Sequence, residues 1–102
     1  MNNEFKIDSN CQEYSVEQFK ANHEIVSNSC SFFHLNIRSL SKHYDDLVTF
    51  LEMLHYNFSF LALTETWLRS NTDSSLFNLP EYNMLTSNRE NSQGGGVALY
   101  IH

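Results

Sequence analysis

Three polar side chains in this chain of 102 residues stand where apolar runs give way to polar sequence. Asn36 closes one such run and is followed by Ile37-Arg38-Ser39. Glu65 closes a second, in Thr64-Glu65-Thr66-Trp67, and Arg89, in Asn88-Arg89-Glu90, precedes three consecutive glycines. Glutamate offers the hard anionic oxygen that Mg²⁺ prefers, and Mg²⁺ is typically held by one or two carboxylates together with substrate phosphate. Asparagine adds a neutral donor and acceptor able to orient a phosphate oxygen or a second carboxylate. Spacing alone leaves ordinary roles open: a strand-end Glu is usually solvated, an Asn often satisfies its own turn, and Arg89 beside Glu90 is an exposed charge.

The elements that must position these groups are legible from residue 31 onward. Residues 31–37 read as a strand sending Phe33, Leu35 and Ile37 to one face and Phe32, His34 and Asn36 to the other. Ser39 or Ser41 caps the helix that follows, with Asp45 and Asp46 near its positive end. Leu40, Tyr44, Leu47, Phe50, Leu51 and Leu54 give it an apolar stripe. Residues 58–64 form a second strand, nearly all apolar, as expected when both faces are covered. Strand, helix and strand make one crossover unit, with parallel or nearly adjacent strands and Asn36 and Glu65 at neighbouring carboxyl ends, where α/β sheets collect ligands.

Beyond it, residues 68–79 read as a surface loop, 84–87 as a short strand and 97–101 as a fourth. Gly94-Gly95-Gly96 lack a following Gly-Lys-Ser/Thr, so they are no P-loop, and a tight hairpin accounts for them. Residues 1–30 are polar, with sparse apolar positions, and read as a leader or linker holding at most a turn or two of helix around 15–20. Cys11, His23, Cys30 and His34 match no compact zinc spacing. Trp67 and Tyr82 suit core or rim packing better than stacking on bases.

Composition narrows the function. Six Lys and Arg against twelve Asp and Glu give a net charge of −6, opposite to a protein that holds nucleic acid mainly through a basic surface. A divalent cation would reconcile that charge with a phosphate substrate. No apolar run approaches the ~20 residues of a membrane helix, no small-molecule cofactor motif is present, and two cysteines are compatible with a reducing compartment. The final strand is apolar and without a following partner, and one helix with four strands buries little, so the chain is expected to be truncated.

Residues 33–40, then 60–68, then Leu79-Pro80-Glu81-Tyr82, then Arg89 with residues 94–101, stand in the order seen in one family. The chain over about 31–102 resembles the endonuclease/exonuclease/phosphatase superfamily, and within it the apurinic-type endonuclease domain of non-LTR retrotransposon polyproteins, which carry a reverse transcriptase. The resemblance implies an α/β fold, the N-terminal part of a two-sheet β-sandwich flanked by helices and cut off within a strand. It implies Mg²⁺- or Mn²⁺-dependent hydrolysis of a DNA phosphodiester, with the nucleus as the parent's place of action. Glu65 matches the family's metal-binding glutamate, Asn36 the first-strand asparagine that helps place metal and phosphate, and Arg89 an arginine that contacts phosphate. The family's water-activating aspartate, second asparagine, tyrosine and Asp-His pair have no counterpart, so the chain alone is expected to be inactive. The alternatives are a phosphatase or exonuclease fragment of the same fold, and a small non-enzymatic α/β module that binds protein through exposed aromatics.

Overall fold

The computed structural model describes residues 14–21, 30–89 and 94–102. Among them the chain forms α1 (Val16–Ala21), β1 (Phe32–Asn36), α2 (Leu40–Leu54), β2 (Phe60–Thr64), a 3-10 turn (Ser74–Phe77), β3 (Asn83–Ser87) and β4 (Val97–Ile101). The result is a small α/β protein with one mixed sheet in the order β1-β2-β4-β3. β1 and β2 run parallel across the α2 crossover, while β4 lies antiparallel to both β2 and β3.

The helix forms where its stripe demands. Leu40, Leu47 and Leu54 are buried against the sheet, each contributing roughly 1.5–3 kcal/mol by burial. Ser39 is the cap, its Oγ accepting from Lys42 N at 3.3 Å, and His55 ends the helix in the left-handed conformation. The same face takes Leu61 and Leu63 of β2 and Ala98 and Tyr100 of β4, all buried.

Among the described residues the other face is open. Alternation places Phe32, Phe60 and Ile101 in one cross-strand row and Asn36, Thr64, Val97 and Ser87 in another. Phe32 stacks on Phe60 at 4.9 Å yet is 66% exposed, and Leu85 and Val97 are also exposed. β2 is therefore covered on one face among the described residues, not on two as its apolar run suggests. A strand's hydrophobicity records what can be covered, not what covers it.

Residues 68–79 also depart from a plain surface loop. Leu68, Phe77 and Leu79 are buried. Two tyrosine hydroxyls fasten this region to the sheet and helix, Tyr100 to Phe77 O at 2.7 Å and Tyr44 to Asn78 O at 2.5 Å, and just beyond it Tyr82 donates to Phe58 O at 2.7 Å. Burial pushes the Tyr100 hydroxyl well above its ordinary pKa, and Tyr82 upward too. Within residues 1–30, α1 packs on the domain through Phe19, edge-on to Tyr56 at 5.4 Å. No helix among the described residues is long and apolar enough to cross a membrane.

Candidate functional site

Three chain segments meet beyond the carboxyl ends of β1 and β2. The β1–α2 turn runs beside the exit of β2, with Ser39 N donating to Glu65 O and Leu40 N to Thr66 O, both at 2.9 Å. On the other side lies the glycine arm leading into β4: Thr66 N donates to Gly96 O at 3.2 Å and Trp67 N to Gly95 O at 2.9 Å. The ladder thus continues past the strands and fixes the Glu65–Trp67 segment from both flanks.

That segment is locally unfavourable. Arg38 (φ 49°), Ser39 (88°), Glu65 (56°) and Trp67 (60°) all hold left-handed backbone without being glycine. Such positions cost of order 1–3 kcal/mol each and persist where surrounding structure over-determines them, which happens most often at functional sites. Here four of them crowd one strand end. The left-handed turn at Glu65 breaks the in-out alternation of β2, so the carboxylate is re-aimed.

The Glu65 carboxylate is gripped through one oxygen. Oε1 accepts from the Trp67 indole Nε1 at 3.0 Å and from Gly95 N at 3.2 Å. These two bonds, the indole first, hold its pKa below the ordinary 4.5; the Arg89 and Arg38 guanidinium charges add lesser pulls against a small opposing effect of burial. Among the described residues no hydrogen bond occupies Oε2. Beside the carboxylate, Ser39, Trp67, Arg69 and Gly94 line a cleft of about 440 Å³.

The glycines are needed for this arrangement, which a tight hairpin does not describe. Ser87 and Val97 are register partners, so nine residues link β3 to β4. Gly95 (φ 75°) delivers its N–H to Glu65, and a Cβ there would fall 2.6 Å from Arg89 Nε. Gly96 (φ 86°) passes so close to buried Thr66 that a Cβ would meet its Oγ1 at 2.6 Å. That hydroxyl has no hydrogen-bond partner among the described residues.

Of the residues singled out from sequence, Glu65 and Arg89 share this place. Asn36 ends β1 with its Cα paired to Thr64, one residue before Glu65. It borders a different cavity, about 520 Å³ between β1 and α2, with Phe33, Leu35, His43 and Asp46 among its walls. His34 reaches Thr64 Oγ1 at 3.3 Å on the open face. Cys11 and His23 lie outside the described residues. Among the described residues no three His, Cys, Asp or Glu converge to hold a metal ion. Sequence reading missed the Trp67 and Gly95 grip and the place of Arg69 in the cleft beside it. The Glu-x-Trp spacing and the glycine triplet were the available signals, and both depend on a non-local approach.

Comparison of the chain with family models, with curated protein sequences and with solved structures gave no match to any of the three.

Proposed function

We propose that this chain is part of a divalent-metal-dependent DNA endonuclease, the apurinic-type domain of a non-LTR retrotransposon polyprotein. In this proposal the sheet is one half of the two-sheet sandwich of the endonuclease/exonuclease/phosphatase superfamily, and the open face bearing Phe32, Phe60, Leu85 and Val97 receives the second sheet. The observation that carries it is Glu65: a carboxylate at a carboxyl strand end, pinned by one oxygen, with no hydrogen bond on the other among the described residues, beside a cleft lined by Arg69.

Mg²⁺ or Mn²⁺ fits this donor set, since Mg²⁺ binds through one or two carboxylates and completes its shell with phosphate and water. When bound, such an ion would supply Lewis-acid stabilisation of charge on the phosphate and the leaving oxygen. Glu65 Oε2 is the oxygen that would hold it. The Trp67 and Gly95 N–H groups keep the carboxylate ionised and oriented, and Arg89 and Arg38 offer guanidinium groups to the non-bridging phosphate oxygens. Asn36 ends the neighbouring strand but borders the separate cavity between β1 and α2, so the phosphate contact falls to the arginines and not to Asn36. With so few ligating side chains gathered among the described residues, the isolated chain binds the ion weakly and does not turn over.

Titration with Mn²⁺ followed by NMR tests the metal assignment. Paramagnetic broadening should centre on the Trp67 indole N–H and the Gly95 amide and disappear in Glu65→Gln; broadening elsewhere, or unchanged by that substitution, overturns it. Nicking of supercoiled plasmid by the chain alone with Mg²⁺, abolished by Glu65→Ala, would instead overturn the inactivity.

The open apolar face also suits a non-enzymatic module that binds protein. A sharp thermal transition together with a monomeric elution volume favours that role, because a sheet built to receive a second one should associate when isolated.

A further inference from the structure

The chain carries a net charge of −6, yet one of its three arginines, Arg69, lines the cleft beside Glu65, and Arg89 packs against the neighbouring Gly95. Trp67 shares that lining, while Arg38 and Arg89 lie close enough to bias the Glu65 carboxylate. Of the described lysines, neither Lys20 nor Lys42 lines the cleft. The cleft's volume of about 440 Å³ is of the size that takes one small molecular unit.

Trp67, the only tryptophan in the chain, is 46% exposed there. Core packing does not explain its position, because the next residue, Leu68, turns inward and is buried. The ring is also held in place. Its indole N–H is bound to Glu65 Oε1, its backbone N–H to Gly95 O, and its own backbone is left-handed, a conformation rare for a bulky residue. A fixed, half-exposed aromatic ring among guanidinium groups is what a stacked base and its phosphates require. Bases inside a duplex already have both faces stacked, so only an unpaired one can use the ring.

We propose that this cleft binds an unpaired nucleotide of a DNA strand, its base stacked on Trp67 and its phosphates held by Arg38, Arg69 and Arg89. This rests on the nuclease proposal for the same site and narrows its substrate to single-stranded or locally opened DNA.

Fluorescence of the full chain in EDTA tests it, since the sole tryptophan is itself the reporter and no metal is needed. Oligodeoxythymidylate should quench it saturably, and a hairpin duplex at equal nucleotide concentration should not. With three arginines on phosphate, log K against log salt should fall with a slope of about −2 for a single strand, and less steeply in Arg69→Gln. By anisotropy of a labelled oligonucleotide, Trp67→Ala should weaken binding roughly tenfold to a hundredfold, whereas Trp67→Phe, which keeps a stacking face, should stay within about threefold. Tighter binding of duplex, or unchanged affinity in Trp67→Ala, overturns the proposal. Quenching by the oligonucleotide without Mn²⁺ binding at Glu65 sinks the nuclease assignment alone, and Mn²⁺ binding without quenching sinks the stacking alone.

Discussion

Substituting Gly96 by alanine tests whether the glycine arm is set by steric contact with the end of β2. Gly96 has φ 86°, which costs an L-residue about 1–2 kcal/mol. The new Cβ would also lie 2.6 Å from Thr66 Oγ1, where ordinary contact begins near 3.4 Å. Thr66 is completely buried and cannot swing into solvent, so the overpacking adds about 1–3 kcal/mol. The sum is a loss of about 2–5 kcal/mol, a large share of a small domain's stability. The two parts separate in a double-mutant cycle. In a Thr66→Ala background the collision partner is gone, and Gly96→Ala should cost only the backbone part, giving a coupling of about 1–3 kcal/mol. Gly94→Ala is the control: its φ is 78° but its Cβ would meet nothing nearer than 3.3 Å, so it should lose only about 1–2 kcal/mol. Urea denaturation of the four variants of the cycle and the control, read as midpoints at constant m, measures all of this. A coupling within about 0.5 kcal/mol of zero would refute the steric account.

Other outcomes follow from the same contacts. Trp67→Phe removes the strongest bond to Glu65, so the carboxyl should titrate closer to 4.5 by ¹³C NMR. Because the folded-state value is the depressed one, the stability from this grip is complete above the ordinary value and lost as pH falls through the folded one; an unshifted titration in Trp67→Phe would show that the indole is not the cause. Tyr100→Phe leaves the Phe77 carbonyl without its buried donor and should lower stability by about 1–3 kcal/mol in urea. Ser39→Ala should cost about 1 kcal/mol through the lost cap, whereas Ser39→Gly should be near neutral, because relief of the 88° backbone offsets that loss; equal losses in both variants would mean the backbone conformation there carries no strain.

Much of the fold follows from local pattern. Helix α2 is written in the spacing of Leu40, Leu47 and Leu54 and in the serine before it, because an amphipathic stripe and a cap act within a few residues of themselves. The strands at 32–36, 60–64, 83–87 and 97–101 follow from short apolar runs bounded by polar ones, and the parallel pairing of β1 with β2 follows from the helix between them. Glu65 and Asn36 were legible as strand-end polar residues for the same reason.

What the tertiary structure decided is everything that needs two distant backbones to meet. β4 inserts between β2 and β3, and only that places Gly95 N–H on the Glu65 carboxylate and Gly96 against Thr66. The burial of Phe77 and Leu79 inside a stretch that reads as a loop depends on tyrosines 44 and 100 far along the chain. The amino-acid order thus settled which residues could be apolar faces, caps and strand ends, since these are short-range properties of the backbone and side chain. Which oxygen of Glu65 is gripped, which face of the sheet stays open and where the arginines lie were settled by chain segments brought together across the sheet, a long-range outcome that no local pattern encodes.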